Sequence, residues 1–307
     1  MIPSHDTDTD EYPALTSATE AQSSQRSSTA VQVELAARSH PGNVRPNNED
    51  HYLVVRIYRA LQTVLTNLPE GVVPKQTEEA GYGMVVADGM GGMAAGEVAS
   101  QLAIRTLIHL IPATPDWVMK GGEQELERIV QRMAERYRRV DAVLREESLA
   151  DPNLAGMGTT MTVAGSLGSE LVLSHIGDSR AYLLRGGELH LLTRDHTLVQ
   201  ELVERGAVQP EQAATHLYRH VLTRALGSFG GKKEAEVRRL SLANHDQLLL
   251  CTDGLTDMVD PRSIGTILRG SASANDACQS LVNLALENGG KDNVTVVLAR
   301  YRFGREP

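Results

Sequence analysis

Aromatic residues are scarce. Phe, Trp and Tyr together make up 4% of the 307 residues, so any core must be filled by Leu, Val, Ile and Ala. Cysteine is scarcer still: only Cys251 and Cys278 occur, which excludes a disulfide framework and fits a reducing compartment. Cys251 lies in the run Leu248-Leu249-Leu250-Cys251 and reads as a buried thiol. No apolar run approaches the length of a membrane span. The polar, acidic N-terminus shows no basic region followed by an apolar stretch, so no secretory signal is visible. A cytoplasmic protein without a membrane partner is expected. Positive charge is also in deficit, with 30 Lys and Arg against 39 Asp and Glu and a formal net charge of −9. That balance argues against a nucleic acid as the main partner.

What is present is ordinary for a globular domain: 41% hydrophobic and 22% charged residues. Residues 1–29 are the exception. They are rich in Ser, Thr, Asp and Gln, and with five carboxylates against Arg26 they carry −4 of the −9. They are expected to form a disordered polar tail, followed by a single domain over 30–303. Short β-branched runs predict strands at Val31–Ala36, Tyr52–Ile57, Gly83–Ala87, Thr160–Ser166, Leu171–Ile176, Ala181–Leu184, Gln247–Thr252 and Val294–Ala299. Ala95–Ile111 is apolar over a wide arc, as in a well-covered helix. From Glu123 to Glu147, apolar residues recur at steps of three and four (Leu126, Ile129, Val130, Met133, Tyr137, Val140, Leu144), which predicts an amphipathic helix. Ser263–Leu268 and Asn275–Glu287 are helical in pattern as well. Strands adjacent in sequence, joined by turns such as Arg185-Gly186-Gly187-Glu188, favour antiparallel sheets with helices outside them.

The aspartates fall at strand ends. Asp88, Asp178 and Asp253 follow predicted strands, and Asp50 and Asp292 stand just before others. An Asp next to Gly at a strand end is usually a turn residue. Five together carry more weight, because the end of one antiparallel strand and the start of its neighbour share a sheet edge. Carboxylates converging there repel unless a cation neutralises them. Oxygen donors without a Cys/His cluster select Mg²⁺, Mn²⁺ or Ca²⁺ over zinc. His175 and His190 stand alone within strands and read as packed or hydrogen-bonded. Arg45, just before Asp50, would suit a tetrahedral oxyanion; a plain ion pair to Glu49 or Asp50 is the competing reading.

Six segments then resemble, in order, the signature motifs of type-2C serine/threonine protein phosphatases, in their bacterial form. They are Arg45-Pro46-Asn47-Asn48-Glu49-Asp50, Val86-Ala87-Asp88-Gly89-Met90-Gly91-Gly92, Gly158-Thr159-Thr160, Gly177-Asp178-Ser179-Arg180, Thr252-Asp253-Gly254 and Lys291-Asp292-Asn293-Val294-Thr295. The resemblance implies an α+β fold, a four-layer α-β-β-α sandwich of two antiparallel sheets flanked by helices. It implies hydrolysis of phosphoserine and phosphothreonine in proteins by water activated on a dinuclear Mn²⁺ or Mg²⁺ centre. Asp88 would bridge the two ions, with the Gly89 carbonyl and Asp50 completing ligation and Asp253 and Asp292 on the other ion. Asp178 matches the position that shares a third, weaker ion with Asp253, and Arg45 matches the phosphate-binding arginine. Phosphorylated proteins, the substrates of a Ser/Thr kinase, are the implied partners.

Three departures from the family pattern stand out. Met90 occupies the place where animal members carry a histidine proposed as general acid, and a thioether cannot protonate a leaving group. Arg59–Ala80 is longer than the usual link and reads as a surface excursion with a short amphipathic piece at Ala60–Leu68. Leu217 replaces a proline in a flap-like segment at about 195–226. That segment is polar, lies between two ligand motifs and is expected to be mobile over the site, with His216 and Arg219 contacting substrate. Ser179 has no paired base in sequence and reads as turn support, which excludes a covalent serine mechanism. Two rival functions stand beside the phosphatase. A binding module on the same fold should lack ligands, and this chain keeps them all. A metal-dependent nuclease should show a basic groove, and the net charge speaks against one.

Overall fold

The computed structural model describes residues 31–91, 95–111, 123–228 and 234–304; the expected tail at 1–29 lies outside them. Eleven strands pair antiparallel in two sheets among these residues. The first sheet takes the order β1-β11-β10-β7-β8, from β1 (Val31–His40), β7 (Arg180–Arg185), β8 (Glu188–Leu191), β10 (Gln247–Cys251) and β11 (Val294–Phe303). The second takes the order β2-β3-β5-β6-β9, from β2 (Asp50–Gln62), β3 (Gln76–Met90), β5 (Met161–Leu167), β6 (Glu170–Ile176) and β9 (Glu236–Ser241). A two-residue strand, β4 (Gly158–Thr159), pairs with the end of β3.

Alternation along the strands builds the layers. In β11, Val294, Val296 and Leu298 face one way and join a core with α6 (Pro261–Gly270) and α7 (Ala274–Glu287). The intervening Val297, Ala299 and Tyr301 face the other sheet, where they meet Met84, Val86 and Ala164. On the far side, Val85, Ala87 and Val163 pack under α1 (Ala95–Leu110) and α2 (Glu123–Ala150). Three apolar clusters thus fill three inter-layer spaces, which gives the α-β-β-α order. Successive side chains point to opposite faces of a strand, and both faces of these strands are covered, so they read as nearly continuous apolar runs. Aliphatic residues dominate, as the shortage of aromatics requires. Two large rings sit deep: Tyr301 hydrogen-bonds Ser166, and Tyr137 of α2 donates to the Met161 carbonyl.

Helix ends are chemically marked. Ser273 caps α7 by accepting from the Asp276 amide, and Asp260 caps α6 by accepting from Arg262 and Ser263. No helix among the described residues is long and apolar enough to cross a membrane.

Two expectations gain detail, the surface excursion at 59–80 being largely exposed as expected. The 59–80 excursion is a prolonged hairpin: β2 and β3 stay in register out to Gln62↔Gln76. No helix forms at Ala60–Leu68, where cross-strand pairing satisfies the backbone of residues 60–62. The flap also has more anchors than its polar composition suggests, as described below.

Candidate active site

One end of the sandwich gathers the carboxylates. Asp50 opens β2 directly opposite Asp88 of β3 in the antiparallel register. Asp178 follows β6, Asp253 begins a one-turn helix, α5 (Asp253–Thr256), and Asp292 precedes β11. A cleft of about 580 Å³ opens above them, lined by Asp88, Asp178, Asp253 and Asp292, with Arg45, Arg219, Lys291 and the His220 imidazole also in its walls.

Backbone contacts hold the floor. The Asp88 amide donates to the Thr160 hydroxyl at 3.0 Å, and the Thr160 amide donates to the Asp88 carbonyl at 2.9 Å. A Cβ on Gly89 would lie 2.0 Å from the Gly96 carbonyl oxygen, and one on Gly254 would lie 1.9 Å from that of Asn293. Only glycine lets these chains approach so closely. Asn293 ties the Arg45 loop to β11 by accepting from the Glu49 amide and donating to the Pro41 and Asn47 carbonyls, all within 2.9 Å.

The electrostatics describe a site short of positive charge. Burial pushes the Asp88 carboxyl well above its ordinary range, and the charges of Asp50, Asp253, Asp178 and Asp292 push it further. Asp50 rises to about 7, chiefly by burial, although the hydroxyls of Thr252 and Thr295 oppose the shift. One Asp50 oxygen accepts from Thr252 at 2.8 Å, and the other, Oδ1, is buried without a hydrogen-bond partner among the described residues. Asp178 is raised by burial and by Asp253 and Asp195, with Arg180 in partial opposition. Such a set fits hard divalent cations: oxygen donors, an orphaned carboxylate oxygen and mutual repulsion that a cation would relieve. Asp50, Asp88, Asp253 and Asp292 with the Gly89 carbonyl, and Asp178 beside Asp253, are the donors available.

Arg45 is ion-paired, though not to the acids expected from its sequence neighbours. Its Nη2 lies 2.6 Å from Asp292 Oδ2, with 54% of the side chain exposed. That pairing raises its proton affinity further. Ser179 is buried and shares a hydrogen bond with Thr160 at 2.7 Å, as turn support. His175 is buried between Thr162 and the Arg194 carbonyl and stacks on His196; burial lowers its pKa to about 3 and keeps it neutral. His190 is half exposed, near Glu188.

The 195–226 segment arches from Asp195 back to the site. Asp195 is gripped by two nitrogens of Arg180, at 2.9 and 2.6 Å, which ties the segment to the Asp178 turn. It holds α3 (Leu198–Glu204), capped by Thr197, and α4 (Pro210–Ala213). Leu226 then pairs with Thr159 through both backbone bonds, at 2.9 and 3.0 Å. Both roots are therefore fixed, and Val199 is buried. The middle carries exposed Leu217, Tyr218 and Val221. Of the two residues expected to meet substrate, Arg219 lines the cleft and His216 does not. The His216 ring accepts from the Tyr218 amide at 3.2 Å and rests against the Tyr218 ring, so its polar edge closes its own turn.

His220 reaches the cleft instead, unforeseen in the sequence. Its Nδ1 is 3.6 Å from Asp253 and its Nε2 is 3.3 Å from Asp257. The donor atoms of these three residues lie within 4.8 Å of one another, and hydrogen bonding to Asp253 raises the imidazole pKa. The available signal was the four-residue spacing of Asp253 and Asp257, which puts both on one face of a helical turn. Nothing local in the sequence says that a histidine from the flap meets them.

Residues 73–288 match the family model described as protein phosphatase 2C. The serine/threonine protein phosphatase PstP of Mycobacterium tuberculosis is 39% identical over 273 residues, which cover 88% of this chain and 46% of that protein. The chain thus spans less than half of that relative's length. The serine/threonine phosphatase stp of Listeria monocytogenes is 38% identical over 215 residues, 70% of this chain and 82% of that protein. Among solved structures, the catalytic domain of PstP in complex with two manganese ions superposes with a TM-score of 0.69 at 36% identity, covering 89% of this chain and all of that one.

Proposed function

This chain belongs to the protein phosphatase 2C family, and on that premise we propose that it is a metal-dependent phosphoprotein phosphatase hydrolysing phosphoserine and phosphothreonine. The observation that carries the reading is the convergence of carboxylates around Asp88, whose mutual repulsion calls for divalent cations. Asp50, Asp88 and the Gly89 carbonyl would hold one Mn²⁺ or Mg²⁺ ion. Asp253 and Asp292, with Asp88 shared, would hold the second, and Asp178 with Asp253 a weaker third. When bound, such ions supply Lewis acidity and lower the pKa of an attacking water.

The remaining work falls to this chain's own side chains. Arg45 is mostly exposed and held at the cleft by Asp292, where its guanidinium can take two non-bridging phosphate oxygens. Met90 lines the cleft where a proton donor would be useful, and it has no proton to give. The leaving serine or threonine oxygen must therefore take its proton from water or another acid in the cleft. Arg219 lines the cleft and would meet the peptide flanking the phosphate; His216 closes the turn next to it. The 195–226 segment acts as the substrate-facing flap of a single phosphatase domain spanning 30–303. The partners are phosphorylated proteins made by a Ser/Thr kinase, and the setting is cytoplasmic signalling.

Incubation with a phosphothreonine peptide tests this. Phosphate release should require Mn²⁺ or Mg²⁺, stop with EDTA and be absent with nucleic acid. Release from DNA or RNA would favour a nuclease, and metal binding without turnover on any phosphopeptide would favour a binding module.

A further inference from the structure

A second hollow lies away from the carboxylates, between the β2-β3-β5-β6 sheet and its helices. Gly83 of β3 and Gly165 of β5 are register partners. They share strand parity with Val85 and Val163, which pack toward α1 and α2, so both glycines face the helices. A Cβ built on Gly165 meets no atom within 4 Å. Side chains normally fill such a space, because interiors pack as densely as organic crystals. Val55 already covers Gly83, where a Cβ would lie 2.9 Å from Val55 Cγ2. It is Gly165 that leaves a gap of about 120 Å³, walled by Leu53 and Val55 of β2, Leu107 and Ile108 of α1, and Ile129 and Met133 of α2. Arg136 is the only charged residue in that lining, and its guanidinium is buried against Met133 Sδ at 4.0 Å.

We propose that this hollow is a binding site for a neutral apolar molecule about the size of a benzene ring, such as a small aromatic group or the end of an alkyl chain. Size and lining together define the class. An apolar cavity of about 150 Å³ takes up benzene or xenon, and this hollow, partly open at its mouth, is slightly smaller. A polar or charged ligand would lose hydration against walls that offer almost no hydrogen bonds. Gly83 lies five residues before Asp88 on β3, about 16 Å along the strand. The hollow is therefore separate from the carboxylate cleft, and its occupancy does not depend on the phosphatase reading.

Benzene is the probe. With benzene at about ten times its dissociation constant, the melting temperature of the intact protein should rise by about 3 °C. Gly165→Val, a β-branched residue suited to an extended strand, fills the gap and should abolish the rise. Should that variant not fold, Met133→Phe closes the hollow from the helix side. A crystal under xenon pressure should show density beside Gly165. No thermal shift and no xenon density in the wild type would overturn the proposal. An undiminished shift in a folded, filled variant would overturn it too, since the ligand would then sit elsewhere. Stabilisation by hexanoate in place of benzene would make the site an anion site at Arg136 and would overturn the neutral assignment.

Discussion

Asp88 shows what a single residue does in this site. Its carboxyl group is surrounded by four other aspartates, so without metal it is a source of repulsion, and with metal it would be one of the donors. Asp88→Asn removes a charge while preserving shape. Turnover should disappear at saturating Mn²⁺, while the metal-free protein should melt at the same or a higher temperature near pH 8. Near-wild-type rates in this variant would remove Asp88 from the centre of the site. Arg45 makes a different case, because it already leans on Asp292 at 2.6 Å. Arg45→Ala should lower kcat/KM by about 1.5–3 kcal/mol of transition-state stabilisation, the size of a charge-assisted hydrogen bond. Calorimetric titration should find the Mn²⁺ sites intact, since Arg45 contributes no donor atom. Loss of a Mn²⁺ site would instead make it a structural partner of Asp292. At this scale the sequence was informative: Asp50, Asp88, Asp178, Asp253 and Asp292 are legible because each stands at the edge of an apolar run. His220 is not, because its partners come from α5, over thirty residues further on.

The elements divide the same way. The central strands β3, β5, β6, β10 and β11 are visible in the sequence because both of their faces are buried and their side chains are correspondingly apolar. Two of the four edge strands are not. β9, with Glu236, Arg238 and Arg239, and the four-residue β8 are held by pairing with a neighbour that the sequence does not name. The prolonged β2–β3 hairpin escapes notice for the same reason, since its outer residues are exposed and only the register reveals it. The 195–226 segment combines legible and hidden parts. Thr197 caps α3 and Pro210 opens α4, residue types that favour those positions, whereas the anchorage through Arg180–Asp195 and Thr159–Leu226 is a product of the fold. In the middle of the segment, Arg219 lines the cleft and His216 does not. Arg219→Ala should change selectivity among phosphopeptides by several-fold and leave hydrolysis of a small aryl phosphate nearly unchanged. His216→Ala should act on both substrates alike, and weakly, through the turn it closes. Parallel kinetics on the two substrate types decide the matter; a peptide-specific loss at His216 would show that its ring does reach substrate.

For the molecule as a whole, the carboxylate cluster sets how stability responds to pH and metal. Asp50, at about 7 when folded, and Asp88 and Asp178, also raised, hold their protons more tightly in the folded chain than in the unfolded one. Below the ordinary carboxylate pKa of about 4 both states are protonated, and these groups place no load on the fold. As pH climbs past that value the unfolded chain releases its protons first, so metal-free stability declines until the folded groups titrate. Asp50 alone, moved from its ordinary value to about 7, accounts for about 4 kcal/mol across that window. Divalent ions held by the deprotonated carboxylates would reverse the trend, because they would favour the folded state that assembles them. The difference in melting temperature between the Mn²⁺-loaded and EDTA-stripped protein should therefore be small at pH 5 and widen steadily toward pH 8. In Asp88→Asn the metal-free protein should lose less stability over the same interval. A gap that stays constant from pH 5 to pH 8 would show that these aspartates are already ionised in the metal-free fold, and that something other than a bound cation offsets their repulsion.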